Sequence, residues 1–135
     1  MKRHPDLLQL SREHYGALKL ARDARRVAGS GDPIAVAAIA QHVVEVFRAE
    51  LDPHFCVEEQ GMLVLLARAG QHDLVEHTLA DHAELRRLAR LLANPDADTL
   101  ARFAELLQAH VRFEEREVFE AVQAGLAMDS VESRP

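Results

Sequence analysis

Two short strings of this sequence repeat each other, and each carries a histidine and a glutamate four residues apart. The first runs from His54 to Glu59 and the second from His110 to Glu115, and both have the pattern H-x-x-x-E-E. Residues four apart lie one turn apart on the same face of an α-helix. In both strings that face continues an apolar stripe, and buried imidazoles and carboxylates are destabilising unless something binds them. The strings therefore favour helices that bring both polar pairs to a shared partner.

Capping residues and helix breakers divide the chain into four helical segments. Each segment carries apolar residues at steps of three and four, and none alternates with period two or shows a hairpin signal. Four amphipathic helices joined by short connections predict an all-α fold, an antiparallel up-down-up-down four-helix bundle. The expected segments run from Pro5 to the turn Gly29-Ser30-Gly31, from Asp32-Pro33 to about Arg68 with a kink at Pro53, from Asp73 to about Ala93, and from Asp98 or Thr99 to Gly125.

The length and composition limit the chain to one folded domain. Its 135 residues fall within the usual size of a single domain. A hydrophobic content of 48% beside 28% charged residues is enough for one core and excludes the disordered class. We expect the bundle to cover residues 1–125 and residues 126–135 to form a flexible tail.

Charge, cysteine content and apolar runs exclude several classes of function. A net charge of −6 and an aromatic content of 4% disfavour binding to nucleic acid or to anionic lipid. The longest apolar run, from Met62 to Ala67, is too short to cross a bilayer, and the first residues contain no signal-peptide core. The single cysteine, Cys56, excludes an internal disulfide and is typical of the reducing cytoplasm. We therefore expect a soluble cytoplasmic protein with no nucleic-acid or membrane partner.

Two further histidines lie on the apolar stripes of the helices that precede the two strings. Counted from the expected helix ends at one pole of an antiparallel bundle, the resulting six polar groups span roughly two turns of height. Such a set can form a compact dinuclear metal site, and its imidazole and carboxylate ligands suit iron, manganese or zinc. The sequence contains no Glu-x-x-His and no H-E-x-x-H, so the ferritin-like and zincin patterns are excluded. The candidate ligands are His14, His54, Glu58, His82, His110 and Glu114.

The stretch from His14 to Glu114 resembles the hemerythrin-like, or HHE cation-binding, domain family. The strings "LDPHFCVEEQGMLVLL", "DHAELRRL" and "HVRFEEREVFEAV" are similar to the motifs of its second, third and fourth helices. The resemblance implies a bundle with two non-haem iron ions held by the six candidate ligands, with Glu58 and Glu114 as bridges. Manganese or zinc is the alternative metal.

The sequence departs from the pattern of the oxygen-carrying members of that family. Those members use five histidines, two of them four residues apart on the third helix, and an aspartate on the fourth. Here Glu114 stands in place of the aspartate, and His77 precedes His82 by five residues, about 140° round the helix. His77 is therefore an alternative seventh ligand lying off the stripe, and we do not expect reversible oxygen carriage.

Two residues that directly follow candidate ligands allow two interpretations. Glu59 and Glu115 lie about 100° round the helix from the candidate ligands, so they are either hydrogen-bond acceptors for metal-bound histidines or solvated groups. Arg86, Arg87 and Arg90 are expected on a solvated face.

Three functions remain open. The first is a non-haem di-iron protein that interacts with oxygen, peroxide or nitric oxide for sensing, buffering or detoxification. The second is a di-iron enzyme that consumes peroxide or oxidises iron, although no dedicated general acid or nucleophile identifies a substrate. The third is a regulatory or protein-interaction module with a structural metal or none, which would act through a protein partner or as a homo-oligomer.

Overall fold

The computed structural model describes the backbone of residues 4–132, and the side chains of this range except those of Asp6 and of residues 126–132. Nearly all of this range is helical, and it contains no strand. Two π-helical segments, Phe47–Leu51 and Glu114–Val118, interrupt the α-helices. The α-helices are α1 (Pro5–Ala28), α2 (Pro33–Val46), α3 (Asp52–Gln60), α4 (Met62–Arg68), α5 (His72–Leu91), α6 (Ala97–Phe113) and α7 (Phe119–Glu132).

These elements form four bundle helices, of which the first is α1, the second runs from α2 to α4, the third is α5 and the fourth combines α6 and α7. The start of α1 lies beside the fourth bundle helix near its far end, where the His4 N–H donates to Gln123 Oε1 over 2.8 Å. Along its length α1 packs against α6 and α2, while α5 packs against α6 and α4. The predicted all-α, hemerythrin-like four-helix bundle is confirmed.

The second bundle helix is interrupted just before Pro53, where a regular α-helix cannot continue. Pro53 has no N–H, and its ring would collide with the carbonyl of Ala49 in a regular α-helix. The chain instead widens into the π-helical segment, in which the Asp52 N–H bonds to the Phe47 carbonyl. A second break follows at Gly61, where the chain bends before α4 begins. The kink expected at Pro53 is therefore present as a π-helical segment immediately before the proline.

The fourth bundle helix contains a π-helical segment that the sequence did not predict. It has no proline, and the Phe119 N–H bonds to the carbonyl of Glu114, five residues back. Because a π turn takes one residue more than an α turn, the buried stripe moves on by one position. Val122 is buried after Val118, whereas Ala121 is only partly buried.

The structure corrects two of the predicted helix starts. The third bundle helix begins at His72, so Asp73 lies in its first turn and does not cap it. The fourth is capped by Asp96, whose side chain accepts hydrogen bonds from the N–H groups of Asp98 and Thr99. Asp96 has an extended backbone, as an N-cap residue needs, whereas Asp98 is already helical. The predicted cap of the second helix is confirmed, since Asp32 accepts from two N–H groups there.

Gly125 does not end the last helix, contrary to the sequence prediction. α7 continues through it to Glu132. A glycine ends a helix by adopting a left-handed conformation, and in the described chain only Gly31 and Gly70 have a positive φ. The flexible tail expected at 126–135 falls on residues whose side chains, and at 133–135 whose backbone, lie outside the described part, so it stays a prediction.

The core consists of two apolar clusters separated by a layer of polar side chains. The larger cluster fills the half of the bundle that contains Ala17, Phe55 and Leu107. The smaller fills the other half and contains Leu10, Leu63 and Phe119. All six candidate ligands are buried between these clusters. The fold thus sets a polar layer at one height of an otherwise apolar core.

None of the helices within residues 4–132 is both long enough and apolar enough to cross a bilayer.

The cap at Asp96 gives a test of the fold. Replacing Asp96 by Ala removes the acceptor for two helix N–H groups and should lower the melting temperature. The matched variant Asp98→Ala changes the residue that the sequence offered as the cap, and it should lower the melting temperature less. Thermal unfolding followed by circular dichroism measures both, and a larger loss at Asp98 would contradict the cap assignment.

Candidate metal centre

The six candidate ligands, contributed by all four bundle helices, converge in the polar layer. Glu58, His82 and Glu114 have no measurable exposure, and His14, His54 and His110 are at most 5% exposed. Their nitrogen and oxygen atoms form two groups of four, and within each group these atoms lie within 4.8 Å of one another. The first group contains His14 and His54 and the second contains His82 and His110, while Glu58 and Glu114 belong to both.

Each of the four histidines directs Nε2 towards a carboxylate of the layer. His54 Nε2 lies 3.1 Å from one oxygen of Glu58, and His82 Nε2 lies 3.1 Å from the other. His14 Nε2 and His110 Nε2 lie 3.1 and 3.2 Å from the same oxygen of Glu114. Glu58 therefore spans the two histidine pairs with its two oxygens, which is the placement expected of a carboxylate that bridges two cations.

The outer nitrogen, Nδ1, of each histidine faces a carboxylate from a neighbouring helix. Three of these contacts are hydrogen bonds, and because an ionised carboxylate only accepts, the histidine Nδ1 donates. His14 is the fourth case, with Nδ1 3.7 Å from Glu115 Oε1, beyond hydrogen-bond length. The three bonds are from His54 to Glu13 at 3.2 Å, from His82 to Glu59 at 2.8 Å and from His110 to Asp81 at 2.9 Å.

These outer carboxylates fix the orientation of the imidazoles. A hydrogen on Nδ1 leaves Nε2 as the nitrogen that faces the layer, which is the arrangement that metal-binding histidines usually have. Glu59 and Glu115 were expected to be either acceptors for metal-bound histidines or solvated groups; Glu59 accepts from His82, whereas Glu115 lies near His14 without a hydrogen bond to it. Glu115 accepts a hydrogen bond of 2.6 Å from the Ser11 hydroxyl.

Arg86 holds one of these carboxylates in place, although the sequence placed it on a solvated face. Its guanidinium donates to both oxygens of Glu59, at 2.8 and 3.2 Å, and to Asp52 Oδ1 at 2.7 Å. It also lies over the ring of Phe55, which stacks on His82 with a centroid distance of 4.0 Å. Arg86 is only 26% exposed because it bridges the second and third bundle helices.

The two buried glutamates of the layer have opposite pKa shifts. Burial, and then the neighbouring charge of Glu114, raises the pKa of Glu58 well above its ordinary value. Burial alone would raise the pKa of Glu114 as well, but the nearby imidazole of His110 and the hydrogen bond with His14 keep that pKa well below its ordinary value. Two carboxylates so close together repel each other, and a cation between them would remove that repulsion.

The histidines also differ in pKa. Burial lowers the pKa of His54, and it lowers the pKa of His82 to about 4. Burial acts in the same direction on His110, but the hydrogen bond to Asp81 and the nearby carboxylate of Glu114 outweigh it and raise the pKa of His110 to about 9. The layer therefore stabilises positive charge at His110 and favours the neutral imidazole, the metal-binding form, at His54 and His82.

The polar layer fits a metal on its own chemistry. Among the described residues, every buried side-chain nitrogen or oxygen atom that lacks a hydrogen-bond partner belongs to one of the six candidate ligands. They include Nε2 of His54, His82 and His110 and both oxygens of Glu58. Unsatisfied buried polar atoms are costly, and cations bound to them would remove that cost.

His77 lies outside both groups of four. Its side chain is 52% exposed, its ring stacks on Phe113 with a centroid distance of 3.7 Å, and its Nε2 lies 3.3 Å from Asp81. It contacts the residue that bonds to His110 and contributes no atom to the layer. The structure thus separates His77 from the six other candidates.

A cavity of about 340 Å³ reaches the layer from one side of the bundle. Its buried inner wall includes His14, His54 and Glu114 beside apolar side chains such as Leu107 and Val111. Its mouth lies between α1 and the π-helical segment Phe47–Leu51, where the lining residues are exposed. These mouth residues are Arg12, Glu13, Gly16, Ala49, Glu50 and Pro53.

Sequence reasoning missed Glu13, Asp81 and Arg86 as supports of the histidines. A signal was available in the sequence. Each carboxylate that faces an Nδ1 is the immediate sequence neighbour of a candidate ligand on its own helix, and the histidine that it faces lies on a different helix. Glu13 precedes His14, and Asp81 precedes His82. Which histidine each one reaches depends on how the helices pack side by side.

The fold and the polar layer together define a four-helix bundle with a buried histidine and carboxylate site for cations. The family model of the hemerythrin HHE cation binding domain matches residues 7–122. The chain therefore belongs to this family, as the resemblance of its motifs implied. Searches of curated proteins and of solved structures gave no significant match.

Arg86 offers a test of the support around the layer. Replacing it by Met keeps much of the apolar length but removes the donor to Glu59, so the free energy of unfolding should fall by about 1–2 kcal/mol, allowing for partial solvent screening. The matched variant Arg87→Met breaks an exposed ion pair with Glu84 and should change the stability little. Urea unfolding of both variants makes the comparison, and equal losses would contradict the role assigned to Arg86.

Proposed function

We propose that this protein is a non-haem di-iron protein that binds oxygen, peroxide or nitric oxide for sensing, buffering or detoxification. The observation that carries the proposal is the sharing of Glu58 and Glu114 between two groups that each contain two histidines. Two cations bridged by these carboxylates would each have two imidazoles and two carboxylate oxygens. Four protein ligands leave coordination positions open on a metal that prefers six.

The six residues would hold the metals as follows. His14 and His54 would bind one ion, His82 and His110 the other, and Glu58 and Glu114 would bridge them. When bound, iron supplies a redox-active centre with open positions for a small ligand. Imidazole and carboxylate ligands without thiolate support iron, with manganese or zinc as the alternative. Within the described side chains, the single Cys56 lies outside both groups.

The cavity supports small-ligand binding at one of the two ions. Both histidines of the pair His14 and His54 line it together with Glu114, whereas His110 alone lines it from the pair His82 and His110. The ring of Phe55, which lines the cavity, stacks on His82, and Arg86 donates to the Glu59 carboxylate that His82 bonds to. A ligand from solvent would therefore reach the ion held by His14 and His54.

The set of candidate ligands suits a sensor or scavenger better than a reversible oxygen carrier. His77, the only additional histidine that the family resemblance offered, is half-exposed and separate from the layer. Each ion would have two carboxylate ligands beside its imidazoles, and such oxygen-rich iron favours the ferric state. We place this activity in the cytoplasm, in keeping with the one unpaired cysteine.

Replacing a ligand histidine tests the site directly. His54→Ala and His110→Ala should each lose at least one metal ion per chain and melt at lower temperature. One bound ion adds about 2.7 kcal/mol when free metal exceeds Kd about 100-fold. His42→Ala changes an exposed histidine of α2 and serves as the matched control. Metal analysis together with thermal unfolding gives the answer, and unchanged metal content in both ligand variants would contradict the assignment.

The metal itself is tested on protein purified without added metal. We expect about two iron ions per chain, as the two groups of ligands imply, and the visible and near-ultraviolet absorption of protein-bound ferric iron. Two zinc or manganese ions would keep the ligand assignment and refute iron. Steady-state loss of added peroxide would favour the enzymatic alternative.

Oxygen reversibility is tested on reduced iron-loaded protein. After oxygen is admitted and then withdrawn, we expect the oxidised spectrum to persist, because a carboxylate-rich site stabilises ferric iron. His77→Ala should behave like the wild type, since His77 has no atom in the layer. Full return of the colourless reduced protein over several cycles would refute the expectation, and loss of that return in His77→Ala would assign His77 a role in it.

A further inference from the structure

Gly16 lies in the middle of α1 without a local reason for being glycine. Its φ is not positive, unlike those of Gly31 and Gly70, so any residue could adopt its backbone conformation. A Cβ atom built on it would meet nothing within 4 Å, so no neighbour excludes a side chain. Glycine destabilises a helix relative to alanine. The residue therefore costs stability and gains nothing in local packing.

Gly16 borders the mouth of the cavity that leads to the layer. It is exposed and lines the cavity beside Arg12 and Glu13 of α1. The second bundle helix contributes Ala49, another small residue, to the same mouth. A long side chain at position 16 would project from α1 into open space at this mouth. The missing side chain therefore keeps the opening wide.

The cavity is much larger than a diatomic ligand needs. Its volume of about 340 Å³ exceeds the roughly 150 Å³ of an apolar cavity that holds benzene. Its walls are apolar at Val46, Leu107 and Val111, and its inner end carries the imidazoles of His14, His54 and His110. Its mouth, which opens to solvent, is bordered by charged side chains such as Glu13. A cavity with apolar walls and polar groups at its inner end fits a ligand with an apolar body and one polar donor atom.

We propose that this cavity binds an organic ligand with one oxygen donor and an apolar body about the size of a benzene ring, and that Gly16 sets this size limit. The donor atom would lie at the ion held by His14 and His54, and the apolar body would lie against Val46, Leu107 and Val111. The inference rests on the proposed function for its metal, while the cavity and Gly16 are features of the chain alone.

The test compares a small and a bulky ligand on oxidised iron-loaded protein. Azide and phenol are titrated separately, and their charge-transfer bands with ferric iron report binding. The variants are Gly16→Leu and, as a matched control, Gly125→Leu, another helix-interior glycine with open space around its Cβ and no place in this cavity. We expect wild type and Gly125→Leu to bind both ligands. Gly16→Leu should bind azide as the wild type does and phenol at least tenfold more weakly.

Two outcomes would overturn the inference: wild type that binds azide but not phenol, or Gly16→Leu that binds phenol as well as the wild type. If the protein holds no iron or azide leaves its spectrum unchanged, the proposed function fails instead. The methyl resonances of Val46, Leu107 and Val111 in the zinc-loaded or metal-free protein then decide the inference. Phenol should shift them in wild type and not in Gly16→Leu, and the absence of any shift in wild type would refute it.

A stability measurement separates size control from a structural role of the glycine. Gly16→Ala should raise the melting temperature by about 2–4 °C, because alanine is the better helix former and its Cβ meets no neighbour. A lower melting temperature would show that the fold itself requires glycine at this position, which would contradict the inference.

Discussion

A layer of six polar side chains crosses the middle of an otherwise apolar bundle core. Burying these side chains costs free energy, and the contacts around the layer reduce that cost. Four imidazoles and two carboxylates are removed from water between two hydrophobic clusters. Such burial destabilises a small domain unless the groups satisfy one another or bind cations. The carboxylate repulsion and the unpartnered inward atoms are both features that cations would relieve. Stability and metal binding are thus coupled through one layer of the core.

The layer is supported by a ring of carboxylates that passes from helix to helix. The first bundle helix supplies Glu13 to the histidine of the second, and the second supplies Glu59 to that of the third. The third supplies Asp81 to the fourth, and the fourth places Glu115 near the first. Three of the helices thus hydrogen-bond to a candidate ligand on the next one, so the orientation of these three imidazoles depends on the packing of two helices. Arg86 strengthens this ring at Glu59, where two bundle helices meet.

The layer is close to symmetric, but its surroundings are not. A cavity reaches the pair His14 and His54, whereas stacked Phe55 and the Arg86 network cover His82. The open side coincides with the π-helical segment before Pro53 and with the small residues of the mouth. A proline that disrupts a helix and a glycine that weakens one therefore lie on the same side of the centre. Both features cost local stability, and both lie where a ligand would enter.

The sequence by itself determined the four helices and the positions of the six polar residues on their inner faces. It could do so because helix periodicity and capping are local, so that a residue four positions from His54 must share its face. Local rules failed where two nearby residues suited the same position, or where no residue type marked a feature. Asp96 and Asp98 both suit a helix cap, and no proline indicates the π-helical segment that begins at Glu114.

Only the tertiary structure decided how the six residues share their partners and what supports them. Glu13 and Asp81 lie about 100° round their helices from the adjacent ligands His14 and His82, and Arg86 lies one turn after His82, about 40° round the helix. What such a flanking residue meets depends on the rotation and distance of the next helix. The same packing makes Glu58 and Glu114 common to both groups, separates His77 from them and leaves a cavity on one side. These relations join residues that are far apart in the chain, and no periodicity within one helix can encode them.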